Sequence, residues 1–375
     1  MRPPRAALRA LLLLLSLLAV MSLRQPDKLR HPQFWAEDGP VFYLEAEHHG
    51  AASLIRPYNG YWHLYPRSVA LLGTRVPVLY LPALYTGGAV LAALLALVAL
   101  VSARLSSLAI GRAAMVAAVL LVPFSGELWL TLTNTQWFGA LLLIVLLAAP
   151  APSTRWAAWS CTVGGVVMAL TGPFALLLWP CAALRAWWHR DRWSLWLLAV
   201  FTVCAAATAM ALVTHPRGGE LISLPHRLEL LLAAARHRPL ALLGATSGTA
   251  FLVLGLTYGG RQRLWALTAC SMAGLLVIAA TAVTVPLEHL GTRYFFLPWA
   301  AGTWTAVMLA ERGHRLAWCA LAGALALALA NFPLPPLQPY PWARDAECLE
   351  RQAVCDVVVN PEWRVGLPGR GGPPR

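Results

Sequence analysis

The sequence predicts an all-α polytopic membrane protein of about eleven transmembrane helices. Three observations predict it. Of 375 residues, 59% are hydrophobic and only 12% are charged, about half the charged share of a soluble domain; mean hydropathy is +0.61. Apolar runs of membrane-crossing length recur along the chain. Arginine falls in the short breaks between them, which is a topology signal. The net charge of +13 is scattered rather than gathered on one soluble face, which argues against nucleic-acid binding.

The N-terminus, MRPPRAALRALLLLLSLLAVMSL, has a basic start and an apolar stretch. Met21, Ser22, Leu23 and Arg24 make a poor cleavage site, so an uncleaved first helix is expected. Predicted spans follow at 7–23, 79–103, 107–124, 137–151, 157–171, 173–187, 193–214, 239–259, 264–285, 294–310 and 316–331. Residues 157–187 are either a hairpin turning at Gly172-Pro173 or one long kinked helix. The hairpin keeps Arg185, Arg190 and Arg192 inside and is preferred on charge. The expected organisation is one integral membrane domain, 1–331, in the cell (plasma) membrane, with a cytoplasmic N-terminus. A short extracytoplasmic tail, 332–375, partly disordered, follows it. The chain has seven cysteines. Five lie in apolar runs, where Cys behaves as a small hydrophobe. Cys348 and Cys355, in ECLERQAVC, could close a small disulfide loop outside the membrane. Lys28 is the only lysine, which reads as coding bias.

The first outside loop, 24–78, is too long for a simple connection. It mixes acids with Phe34, Trp35, Phe42, Tyr43, Tyr58, Tyr61, Trp62 and Tyr65, which suits short interfacial helices. In WAEDG (35–39), Glu37 and Asp38 precede Gly39-Pro40, and a turn there would present both carboxylates at a bend near the membrane surface. A carboxylate so placed can act as general base or hold a divalent ion bridging phosphate oxygens. The plainer reading is a solvated acidic turn. Glu45, Glu47, His48 and His49 read as a wet connecting segment. In PYNGYWHLYPR (57–67), His63 and Arg67 would share a face if helical. Arg67 there suits a lipid phosphate or simply snorkels. Asn134, Gln136 and Trp137 start a helix and suit sugar contacts, or are a cap with an interfacial Trp. Glu127 is the only acid of its turn. RLELLLAAARHR (227–238) reads as a basic amphipathic surface helix.

WAEDG, PYNGYWHLYPR, TNTQWFGAL (133–141), LTGPFALLLWP (170–180) and GTRYFFLP (291–298), in that order, resemble a bacterial branch of the GT-C class of membrane glycosyltransferases. The resemblance covers most of the chain. It implies transfer of a sugar from a polyprenyl-phosphate carrier to an envelope glycan or lipid on the extracytoplasmic face. Asp38 would be the catalytic carboxylate and Glu37 its neighbour or a metal contact. A divalent cation, Mg or Mn, is the cofactor the class admits. Arg67, His63 and Arg293 would bind the carrier phosphate, Arg293 alternatively pairing with Glu288. Asn134, Gln136 and Trp137 would contact the sugar. Two other functions fit a polytopic chain: a transporter or flippase of lipid-linked glycans, which calls for ionisable residues in mid-span, and a non-catalytic envelope-assembly protein.

Overall fold

A computed structural model describes residues 4–101, 111–215, 292–352 and 354–370. It is mostly helical. The helices are α1 (Pro4–Arg24), α2 (Pro26–Arg30), α3 (Leu44–His49), α4 (Leu64–Gly73), α5 (Leu81–Leu100), α6 (Arg112–Leu120), α7 (Thr135–Ala148), α8 (Arg155–Ala169), α9 (Phe174–His189), α10 (Arg192–Thr214), α11 (Phe296–Glu311), α12 (Arg315–Ala330) and α13 (Trp342–Arg351). A two-stranded antiparallel sheet, β1 (Val354–Val359) and β2 (Trp363–Pro368), follows.

This corrects the expectation of an all-α chain with about eleven spans. Among the described residues, only Val78–Leu100 and Arg192–Thr214 are long and apolar enough to cross a membrane. For α6 and α7 the reason is length. A helix rises ~1.5 Å per residue and a bilayer core is ~30 Å thick. The 14 residues of α7 therefore reach ~21 Å and the 9 of α6 ~14 Å. Apolar runs in the sequence included the turn residues that end these helices. The predicted spans 239–259 and 264–285 and the amphipathic stretch 227–238 lie outside the described residues.

The main core gathers Leu128, Trp129, Phe138, Leu141, Phe174, Phe201, Phe296 and Trp304 from α5 to α11 and the segment before α7. Within it, α7 packs on α8 and α9, and α10 packs on the same two helices. The break between α8 and α9 falls at the predicted Gly172-Pro173 turn. A Cβ on Gly172 would stand 2.7 Å from Gln136 Oε1, so a larger residue at this turn would have to push the Gln136 side chain aside.

A second, smaller core joins the two ends of the chain. Phe34, Phe42, Tyr43, Val69 and Tyr85 pack with Leu349, Val357, Val359 and Leu367. The tail is thus folded through residue 370. Along β1 burial alternates, with Cys355, Val357 and Val359 inward, as a half-buried strand requires. A disulfide joins Cys348 of α13 to Cys355 of β1.

Candidate functional site

Four segments from three remote stretches of the sequence meet around the acidic pair. They are α2, the 3-10 turn Ala36–Asp38, the irregular segment 121–134, and the 3-10 turn Thr292–Phe295. Ala36 has φ +44°, a left-handed conformation that costs a non-glycine residue free energy. It turns the next two side chains toward segment 121–134.

Asp38 is 2% exposed. Its Oδ2 accepts from Trp35 N–H at 3.0 Å and its Oδ1 from Thr133 N–H at 3.1 Å. Glu37 stays partly exposed, and its Oε2 accepts from the Thr133 hydroxyl at 2.9 Å. Thr133 therefore ties both acids to the start of α7. Burial pushes the Asp38 carboxyl up to about 8. The backbone donors of Trp35 and Thr133 and the nearby Lys28 pull against that rise, and the charge of Glu37 adds to it. The expected presentation of both carboxylates is corrected: Gly39-Pro40 opens a helical turn, Gly39–Tyr43, and Asp38 points inward. Val359 and Leu367 of the tail pack over Gly39, 3.4 Å from where a Cβ would stand, an ordinary contact distance.

Lys28 lies behind the acids. Its ammonium donates to Gly126 O at 2.9 Å and Trp129 O at 2.7 Å, and sits 4.9 Å from the centre of the Trp35 ring. Burial pulls it down to about 7, against the attraction of Asp38, Glu127 and Asp27.

Glu127 and Arg293 form the outer edge. Arg293 Nη1 is 2.7 Å from Glu127 Oε2, and Arg293 N–H donates to Oε1 at 2.9 Å. Both side chains are partly exposed, 28% for Arg293 and 18% for Glu127. Burial works against the Arg293 charge, but Glu127, Tyr294 and Glu37 together hold it above its ordinary value. The partner of Arg293 among the described residues is thus Glu127; Glu288 lies outside them. Asn134 Nδ2 donates to Glu127 O at 2.7 Å and to Thr131 Oγ1 at 3.1 Å. Asn134 occupies the N-cap position of α7 without capping it.

The remaining predicted residues sit elsewhere. Arg67 is 1% exposed and committed to protein partners: Glu45 Oε2 at 2.6 Å, Ser53 O at 2.9 Å and Trp62 O at 3.0 Å. His63 precedes α4 with φ +53°, so it shares no helical face with Arg67. Its ring is buried among Phe42, Tyr58 and Tyr61. Trp137 packs on Phe174 and on Tyr294, the neighbour of Arg293. Gln136 faces Gly172.

Among the described residues, no group of three His, Cys, Asp or Glu side chains gathers to hold a metal ion. Both Asp38 oxygens already take backbone N–H groups and a lysine stands close by, so the acidic pair by itself does not fit a divalent cation.

Sequence reasoning missed Lys28 and Thr133. A lone lysine next to the acidic motif was the available signal. The fold and site define a mostly helical chain with two helices of membrane-crossing length among the described residues, and a part-buried cluster of acids and cations. No protein-family model matches the chain, and no curated protein matches it.

Proposed function

We propose that this protein is a membrane glycosyltransferase. It moves a sugar from a polyprenyl-phosphate donor to an envelope glycan or lipid acceptor on the extracytoplasmic face. The observation that carries this reading is the convergence of Glu37, Asp38, Thr133, Glu127 and Arg293 from three remote segments. Glu37 has the reachable carboxylate and takes the proton of the acceptor hydroxyl as that oxygen attacks the anomeric carbon. The bond from that carbon to the phosphate oxygen breaks, and the phosphate leaves with the electron pair, facing Arg293. Asp38, closed off behind Glu37, positions the turn.

Membrane placement is supported by α5 and α10 and by their exposed apolar residues, Leu91, Leu95, Val203, Met210 and Val213, a face that water disfavours. The extracytoplasmic side is supported by the disulfide. It lies in the tail that shares a small core with the acidic turn, and disulfides persist in oxidising compartments.

The test is direct. Purified protein in detergent is given a panel of polyprenyl-phosphate hexoses and pentoses with envelope lipids, and released polyprenyl phosphate is measured. Release by wild type, lost in Glu37→Gln and weakened at limiting donor in Arg293→Ala, supports the reading. No release from any donor, or equal release by Glu37→Gln, overturns it.

A further inference from the structure

We infer that the C-terminal tail positions the acidic pair, and that Asn360 is the positioning residue through which it does so. As a step toward catalysis this rests on the glycosyltransferase reading; as a statement about the turn it does not.

Asn360 follows β1 directly and is buried. Its main chain brackets the motif: Asn360 N–H donates to Phe34 O at 3.2 Å, and Ala36 N–H donates to Asn360 O at 2.5 Å. This is an isolated parallel bridge centred on Trp35. Its side chain locks the bracket, with Nδ2 donating to Gln33 Oε1 at 2.8 Å. The bridge ends at Ala36, whose φ of +44° an isolated chain would seldom keep. A positive φ in a non-glycine residue persists only when its surroundings over-determine it, and here Asn360 does that on one side and Thr133 on the other. Val359 and Leu367 complete the clamp by packing over Gly39.

The rest of the tail anchors this contact at a distance from the acids. Arg370 reaches Glu47 Oε1 at 2.5 Å, Val76 O at 2.6 Å and Gly73 O at 2.9 Å. Tyr43 OH donates to Pro368 O at 2.9 Å. Glu350 Oε1 accepts from Val78 N–H at 2.9 Å, and Trp342 Nε1 donates to Leu79 O at 3.1 Å. The Cys348–Cys355 disulfide holds α13 and β1 as one unit. Every one of these contacts except the disulfide falls on the first loop or at the start of α5, so the tail acts on the segment that carries Glu37 and Asp38.

The experiment uses full-length protein in detergent, as wild type, Asn360→Ala and Arg370→Ala. Hydrogen exchange is followed by mass spectrometry in peptides covering 33–40 and 135–189, and steady-state transfer is measured in parallel. Asn360→Ala keeps the two main-chain bonds but loses the side-chain contacts to Gln33 and Gln338 O, so the bracket loosens and exchange in 33–40 rises about fivefold while 135–189 keeps its protection. Transfer kcat falls at least fivefold, with KM for the lipid donor within twofold. Arg370→Ala, remote from the acids, gives the same pattern more weakly. Unchanged exchange in 33–40 in both variants overturns the inference. So does an equal rise in 135–189, which marks general loosening. If wild type has no transfer activity, the function proposed above fails, and the exchange result alone decides what the tail does.

Discussion

Replacing Asp38 by Asn should make stability less dependent on pH. The carboxyl is 2% exposed and both its oxygens accept backbone N–H groups. Its pKa is raised from about 4 to about 8, chiefly by burial. A raised carboxyl keeps its proton in the folded chain where the unfolded chain has released it. Wild type therefore has the full benefit of Asp38 below about pH 4 and loses it as pH rises toward about 8. The slope is about 1 kcal/mol per pH unit and the total is bounded by about 5 kcal/mol. An asparagine amide keeps one acceptor and turns an NH2 toward the other backbone N–H, a cost of about 1–3 kcal/mol. The variant should be less stable than wild type at pH 4, cross it between about pH 5 and 7, and exceed it by about 2–3 kcal/mol at pH 9. The assay is equilibrium unfolding in mixed SDS micelles from pH 4 to 9, read by tryptophan fluorescence. Parallel curves for the two proteins across that range would refute the reasoning, because Asp38 would then not titrate where its burial requires.

Two further outcomes concern the same cluster and a third the tail. Arg293→Ala leaves the half-buried Glu127 without its cation, which should cost about 1 kcal/mol of stability and raise KM for a phosphate-linked donor at least tenfold; an unchanged KM would remove Arg293 from phosphate binding. Lys28→Met leaves the carbonyls of Gly126 and Trp129 without a donor and should cost about 2 kcal/mol. Burial depresses Lys28, so its contribution is present at high pH and is lost as pH falls through about 7; the penalty should be larger at pH 9 than at pH 6, and the reverse order would contradict this. Reducing the Cys348–Cys355 disulfide, whose partners are 7 residues apart, should lower tail stability by about 2–3 kcal/mol, seen as earlier proteolysis of 342–370 in dithiothreitol; equal protease resistance with and without reductant would argue against it.

The helical character and the place of the acidic motif were legible in the sequence, for physical reasons. Apolar periodicity and Gly-Pro punctuation are local, so α5, α10 and the break before α9 could be read directly. Span number was not, because a hydropathy window does not see where a helix stops: the run ending at Ala148 contains only the 14 residues of α7. The partners of the acids are tertiary facts. Nothing local shows that Thr133 will cap Glu37 and Asp38, or that Glu127 will meet Arg293 across the fold. Nor does the motif reveal that Asp38 points inward, since its carboxyl is held by the N–H of Thr133, 95 residues further on. Arg67 shows the opposite error. Its spacing suited a lipid phosphate, but Glu45, 22 residues upstream, takes its guanidinium.

The central claim is that the Glu37–Asp38 turn is the active site of an envelope glycosyltransferase. The most direct measurement is the profile of envelope glycans and glycolipids in cells lacking the protein, complemented with wild type, Glu37→Gln or Asp38→Asn at matched membrane levels. The account predicts that one glycan disappears, that wild type restores it, that Glu37→Gln does not, and that Asp38→Asn restores it only in part. Full restoration by Glu37→Gln, or a profile that never changes, would contradict it.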